Sequence, residues 1–435
     1  MRTVKKHSFS ITEEGKKQIL FWAQQFAEVV WLDSNKHCQK HGTYQAILAV
    51  DAFTSLKIDT YNAFDKLKEY QEITSDWVFG YLSYDLKNDV ENLSSNNFDG
   101  LNSSELYFFQ PKKLFLFSEE SVEVHYLNMV ADEIEEDWNT ISKIIYKHSE
   151  IDSSTEVKIH ARTTKNSYIS KVNELLEHIK RGDIFEANLC QEYYAESCQI
   201  DPLSTFLHLD KISKAPFSVF MKLEELYTLS ASPERYLKRS GNTIISQPIK
   251  GTASRLQDKK DDFAMGQQLE RDPKERSENI MITDLVRNDL SRIAEKGSVV
   301  VEELCAIYTF EQVHQMISTI SCKVSPALSS VEILRNTFPM GSMTGAPKVS
   351  AMKLIEQIED AKRGLYSGAI GYFSPTGDFD FNVVIRSIIY NSEKEYVSYS
   401  VGSAITINSI PEKEYKECLL KAKAMRQVLN INIEF

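Results

Sequence analysis

Between residues 367 and 407 the chain runs SGAIGYFS, then FDFNVVIRSIIY, then EYVSYSVGSAITI, with apolar and polar residues alternating along each stretch. Successive side chains of a strand point to opposite faces, so this alternation predicts half-buried strands, and their close succession predicts an antiparallel meander. WVFGYLSY (77–84), LFLFSEESVEVHYL (114–127), SVFMKL, YTLSAS and TIISQPI read as further strands. Helical spacing appears in SYISKVNELLEHIKRGD (167–183), where Ile169, Val172, Leu175, Leu176 and Ile179 share one face. Further helices are predicted at 131–148, about 276–295, 347–361 and over the last 25 residues. Clustered strands with helices alongside give an α+β fold rather than a parallel β-α-β one.

A chain of 435 residues, 42% apolar and 26% charged, has enough material for a sizeable core and a prior of two or three folding units. The first 150 residues differ in character, being rich in Asp, Asn, Ser and aromatics, with a polar surface loop predicted at 92–104. The polar connector SEIDSSTEV (149–157) is the expected boundary, giving regions 1–150 and 155–435. Glycine is only 16 of 435, and no G-x-G-x-x-G, Walker A or H-E-x-x-H motif is present. The net charge of −12 leaves no basic footprint for nucleic acid. An acidic chain that binds an anion needs local Arg, Lys, helix N-termini or a metal to supply the positive field. No apolar run is long enough to span a bilayer, and MRTVKKHSFSITEEGKK lacks the apolar stretch of a signal peptide. The six cysteines are scattered without a C-x-x-C pair, so a cytoplasmic location is expected.

Two helices carry carboxylates where apolar residues belong. At 100° per residue, Glu275 and Glu278 fall on the stripe of Ile282, Leu285, Val286 and Ile293. Glu414 and Glu417 fall likewise on the stripe of Cys418, Ala424, Met425 and Val428. Acids in a first turn complement the helix dipole, which is the plain explanation. On a buried stripe they cost desolvation unless paired or metal-bound, and two such helices point to a shared oxygen-ligand site for a hard cation such as Mg²⁺. Lys250 follows a strand and precedes a Gly-Thr turn in SQPIKGTASR. FPMGSMTGAPKVSAMKLIEQIE (338–359) joins a small-residue loop directly to a helix, where backbone N–H groups suit a carboxylate or phosphate; a plain helix cap fits equally. Arg386 interrupts the apolar strand FNVVIRSIIY, and an inward Arg there is a bidentate carboxylate clamp.

PIKGTASR, ENIMITDLVRNDLSRIAEKGSV, FPMGSMTGAPKVSAMKLIE, RGLYSGAIGYFSPTGDFDFNVVIRS and the closing E-x-x-E helix together resemble the chorismate-utilising enzymes, strongly over residues 155–435 and weakly before them. The resemblance implies a two-lobed fold with large antiparallel sheets packed as a sandwich, helices outside, and a site in a cleft of the C-terminal region. Residue by residue, Glu278 and Glu417 resemble the family's Mg²⁺ ligands, with Glu275 and Glu414 as their partners. Tyr366 and Arg386 resemble the clamp on the enolpyruvyl carboxylate, Ser342 lines the ring side, and Thr252 and Ala404 join the substrate-binding set. Glu234 in SASPERY resembles the acid near the departing 4-hydroxyl. Lys250 in PIKGT, where the anthranilate branch carries Ala, and the form GDIFEANLCQ (182–191) place the match closest to the aminodeoxychorismate branch. Glu186 stands where isochorismate synthases carry a water-activating Lys. Two positions depart from the family: Gln315, with His314 before it, replaces a His, and Ala404 replaces the second glycine of a carboxylate-binding turn, VGSAITI.

By this resemblance chorismate and ammonia give 4-amino-4-deoxychorismate, a step toward para-aminobenzoate and folate. Mg²⁺ binds the ring carboxylate, Lys250 attacks C2 as the 4-hydroxyl leaves with a proton from Glu234, and ammonia then attacks C4 and expels Lys250. The ammonia is expected from a glutaminase subunit, because no cysteine here sits in a nucleophile-elbow context. The anthranilate branch of the family, or a silent chorismate-binding regulatory subunit, remains as an alternative. VVWLDSN (29–35) resembles the L-L-E-S element of the tryptophan pocket in anthranilate synthases, with Ser34 in the place of its serine.

Overall fold

A computed structural model describes residues 1–37, 40–59, 61–146, 157–310 and 313–429. Most of the expected connector at 149–157 lies outside these, as do Cys38 and the last six residues of the expected C-terminal helix.

Among the described residues twenty strands join into one connected sheet system, and every strand pairing is antiparallel. The long strand Leu106–Phe117 belongs to both halves of it. Through Ala46–Ile58 it leads to Glu28–Asp33, Phe217–Leu223, Leu226–Ser232, Ser387–Asn391, Tyr396–Ile405 and Glu186–Ala195. Through Val78–Leu82 it leads to Ala369–Phe373, Phe379–Val383, Arg235–Ser240, Thr243–Gln247 and Val313–Lys323. Strands from the first 150 residues thus pair directly with strands from the C-terminal region, Glu28–Asp33 with Phe217–Leu223 and Val78–Leu82 with Ala369–Phe373.

The two halves pack face to face. Val30, Ile47, Ala49, Val219 and Met221 of the first meet Phe79, Tyr81, Phe373, Phe379 and Phe381 of the second in one core. Their chain neighbours Val29, Trp31, Leu48, Val50 and Phe220 point the other way, into a second core shared with helices Glu13–Ala23, Lys165–Arg181, Pro202–Ser213 and Pro411–Val428. The period-two alternation in the sequence therefore feeds two cores from one sheet. This is the α+β class that the strand and helix pattern predicts, in the sandwich with helices outside that the resemblance implies. No helix among the described residues is long and apolar enough to cross a membrane.

The helices fall close to their expected positions: Ile134–Lys143, Lys165–Arg181, Pro273–Ser291, Lys348–Ile358 and Pro411–Val428. FNVVIRSIIY departs from expectation. It is two strands, Phe379–Val383 and Ser387–Asn391, and the chain breaks between them with Arg386 in the left-handed region at φ 54°. Each half pairs with a different neighbour, Arg235–Ser240 and Leu226–Ser232, so this segment crosses from one half of the sandwich to the other.

Candidate active site

The carboxylate stripe of Pro273–Ser291 is built at its N-terminus. Asp272 caps the helix by accepting from the backbone N–H groups of Lys274 and Glu275, and Pro273 fills the first position, where no N–H is needed. Asn279, Ile282, Thr283, Val286, Asp289 and Leu290 are buried, and Glu275 and Glu278 extend that face half-buried toward the chain's start. In Pro411–Val428 the stripe is Glu414, Cys418, Ala422, Met425 and Val428, with Glu417 half-buried at its edge. Ser403 donates to the Glu414 carboxylate.

Lys250 lies inside a strand, Ile249–Ser254, rather than in a turn after one. Ile249 pairs with Ile317 and Thr252 with Gln315, so Lys250 and Gly251 stand opposite Met316 alone. That is a β-bulge, and it re-aims the side chains around it. Gly251 holds it at φ 90°, where a Cβ would come within 3.3 Å of Glu275 and of Met316. Asn279, unremarked in the sequence, pins the bulge by donating to the Met316 carbonyl at 3.0 Å and toward that of Lys250 at 3.4 Å.

These elements surround one cavity of about 460 Å³. Glu234, Lys250, Thr252, Glu275, Glu278, Ser342, Tyr366, Arg386, Ala404 and Glu417 all line it. Glu414 sits behind the wall, fully buried against Ser403. Gly402 and Ala404 line the cavity too, but from within the strand Tyr396–Ile405 and not from a carboxylate-binding turn. A Cβ at Gly402 would meet Cys190 Sγ at 2.6 Å, so this position needs glycine for packing. Ser34 lies elsewhere, with Leu32, Tyr44, Phe217, Arg235 and Asn382 around a separate cavity of about 70 Å³, its hydroxyl donating to the Gln45 carbonyl at 2.9 Å.

The positive field that an acidic chain must supply locally comes from Lys250, Arg386 and Lys421 on the cavity wall, with Lys274 beside them. Lys421 is 2.7 Å from Glu417 and donates to the Gly402 carbonyl at 2.9 Å. Lys274 lies 3.6 Å from Glu278 and 3.9 Å from Glu414. Burial pushes the Glu278 carboxyl up to about 7 against the pull of Lys250 and Lys274. Burial likewise raises Glu275. Burial also acts on Glu417, but Lys421, Lys274 and Lys250 outweigh it and hold that carboxyl below its ordinary value. Glu234, in the turn between Leu226–Ser232 and Arg235–Ser240, is buried and raised to about 7, so its carboxyl holds a proton for much of the time near neutral pH. For Lys250 burial favours the neutral amine, but the carboxylates of Glu186, Glu278, Glu234 and Glu417 prevail and raise its pKa.

Sequence reasoning missed Asn188, Lys421 and Ser400 on the cavity wall. Only the tertiary fold brings them there: Asn188 lies opposite Ala404 on the neighbouring strand, Ser400 is further along the strand of Ala404, and Lys421 reaches in from the helix Pro411–Val428. Gln315 lines the cavity, and its buried Oε1 has no hydrogen-bond partner among the described residues. His314 cannot stand in for a site histidine. Alternation turns it to the other face of Val313–Lys323, where its Nε2 pairs with Asp262 at 3.0 Å.

Mg²⁺ takes oxygen ligands, usually one or two carboxylates with water and substrate completing the octahedron. Glu278 and Glu417 are close enough for their charges to repel, and Glu278 is destabilised as an anion by burial. That donor set fits the ion. Among the described residues no three His, Cys, Asp or Glu side chains form a ready-made metal cage, so an ion held here would need water and substrate to complete its coordination.

The chorismate-binding enzyme family matches residues 9–427. Aminodeoxychorismate synthase component 1 of Bacillus subtilis is 31% identical over 82% of this chain and 77% of its own length. The protein of the same name from Escherichia coli is 38% identical over 61% of this chain and 58% of its own length. The crystal structure of anthranilate synthase component I from Streptococcus pneumoniae superposes with a TM-score of 0.76 at 24% identity, over 90% of this chain and 95% of that one, which shows a shared fold. With a cavity that gathers carboxylates, a buried acid and a clamp of cations, the chain is an enzyme and belongs to the chorismate-binding family.

Proposed function

We propose that this chain replaces the 4-hydroxyl of chorismate with an amino group, giving 4-amino-4-deoxychorismate for para-aminobenzoate synthesis. The observation that carries the proposal is Lys250: a glycine-dependent bulge turns it into the cavity, where the proton donor Glu234 also stands. The relatives named aminodeoxychorismate synthase component 1 support the same reading.

Lys250 is the C2 nucleophile and Glu234 protonates the departing 4-hydroxyl. Arg386 and Tyr366 hold the enolpyruvyl carboxylate. Arg386 does so from a left-handed backbone, a conformation held only where its surroundings impose it. Ser342 and Thr252 line the ring. Glu278 and Glu417 hold Mg²⁺, backed by Glu275 and Glu414, and the ion supplies positive charge for the ring carboxylate. Covalent catalysis of this kind splits one hard displacement into two allylic ones.

The word component in the relatives' names fits a second subunit, and we assign it glutamine hydrolysis. Four of the described cysteines suit that task poorly: Cys190, Cys305, Cys322 and Cys418 are buried, and burial raises the Cys190 thiol to about 12 and those of Cys322 and Cys418 to about 11. The deciding experiment incubates the purified chain with chorismate, Mg²⁺ and ammonium and identifies the product. 4-Amino-4-deoxychorismate supports the proposal; anthranilate, or no turnover, overturns it.

A further inference from the structure

Glu186 opens the strand Glu186–Ala195 and is 3% exposed. One of its oxygens lies 3.7 Å from Lys250 Nζ, and the other is buried with no hydrogen-bond partner among the described residues. Its backbone is clamped: Ala346 pairs with it across the sheet, and at the neighbouring Gly345 a Cβ would come within 2.1 Å of the Glu186 carbonyl oxygen. A carboxylate with one oxygen orphaned costs free energy to keep buried, and among the described residues its sole cationic neighbour within ion-pair distance is Lys250.

The charged groups that face Lys250 are Glu186 from this strand, Glu278 from Pro273–Ser291, Glu234 from the turn before Arg235–Ser240, and Glu417 from Pro411–Val428. Glu278 and Glu417 are assigned to the metal and Glu234 is the proton donor. Glu186 is the carboxylate left over, and it is the one nearest the ammonium.

We propose that Glu186 accepts the proton of the Lys250 ammonium, freeing the amine to attack, and returns it when Lys250 is expelled. This rests on Lys250 being the C2 nucleophile. The proton passes from nitrogen to the Glu186 carboxylate, and the amine lone pair forms the N–C2 bond. Both conjugated ring double bonds shift by one position, the C4–O bond breaks, and the hydroxyl leaves as water with the proton of Glu234. Ammonia then forms the N–C4 bond, both double bonds shift back, and the C2–N bond breaks with its electron pair on the lysine nitrogen. That nitrogen was a secondary ammonium in the adduct, so Lys250 departs as the neutral amine. Glu186 hands its proton back to Lys250, and Glu234 recovers one from the new C4 ammonium. Chorismate and ammonia have become 4-amino-4-deoxychorismate and water. A gap of 3.7 Å has to close before transfer, which is common for catalytic pairs before substrate binds.

The test compares Glu186→Gln, Glu186→Asp and Lys250→Ala with the parent. Two quantities are followed across pH: the rate at which chorismate without ammonium adds mass to the peptide containing Lys250, and kcat and KM with ammonium. For Glu186→Gln both the adduct rate and kcat should fall by about 100-fold or more near neutral pH, with KM little changed, and the loss should shrink as solvent deprotonates Lys250 at high pH. Glu186→Asp, which draws the carboxylate back by one methylene, should be slowed less and follow the same pH trend; it stands as an independent test where the Gln variant does not fold. An adduct rate in either variant equal to or faster than the parent's, or a loss independent of pH, overturns the assignment, because then Glu186 only holds the ammonium in place. If the parent forms no adduct and Lys250→Ala turns over normally, the nucleophile assignment itself fails and this one with it.

Discussion

The ammonium of Lys274 stands 3.6 Å from the Glu278 carboxylate one turn further along the same helix. It also reaches Glu414 at 3.9 Å, across to the C-terminal helix. A lysine thus partly neutralises the acids where a divalent cation is proposed. Glu278→Gln or Glu417→Gln should abolish turnover while leaving the fold intact by circular dichroism. Turnover that persists in excess EDTA would count against the metal.

Burial raises the carboxyls of Glu234 and Glu278 to about 7, so each binds its proton more tightly folded than unfolded. Such a group stabilises the fold relative to its ionised form fully below its unfolded pKa, and that advantage is lost as pH rises through the folded value. In EDTA, Glu234→Gln should match the parent near pH 5 and exceed it by pH 8, with a gap on the order of 3 kcal/mol at about 1.4 kcal/mol per pKa unit. Urea melts at the two pH values measure it; parallel curves would refute the burial effect.

Lys250→Ala removes the nucleophile and keeps the clamp and the acids. It should still bind chorismate, form no covalent adduct, and lose about 100-fold or more of its 4-amination. Direct attack of ammonia at C2, giving an anthranilate-type intermediate, is the expected residual reaction. Mass spectrometry of the Lys250 peptide and chromatography of the products check both points.

Ammonium should support turnover by the chain alone, and better at high pH, because NH₃ rather than NH₄⁺ is the nucleophile. Glutamine should support it only after a glutaminase subunit is added. Glutamine-dependent turnover by the pure chain would defeat the two-subunit proposal.

The cavity beside Ser34 is lined by Tyr44, Phe217 and Tyr372 with Arg235 and Asp380, apolar walls with charges at hand. Any tryptophan held there is expected to act as a structural ligand without strong feedback inhibition. Activity should persist at micromolar tryptophan. A dose-dependent loss of activity in that range would favour the anthranilate alternative.

Features governed by nearby residues were legible in the chain itself. The E-x-x-E pairs of both helices could be placed on their apolar stripes because 100° per residue is a local rule, and the alternating strands declared two faces without naming their partners. Resemblance of motifs then supplied the site residues, Ser342, Tyr366 and Arg386 among them. Tertiary structure decided the aim of those residues. Lys250 is turned by a bulge that exists only against Met316 on a partner strand, and Arg386 breaks a run of apolar residues because its two flanking strands pair with different neighbours. His314 and Gln315 exchange roles on which face of their strand meets the cavity. Glu186 and Lys250, 64 positions apart in sequence, meet only after two separate strands are seated. Strand register and the burial that fixes it are properties of the assembled sheet, since a shift of one residue reverses every side chain, and no short stretch of sequence determines them alone.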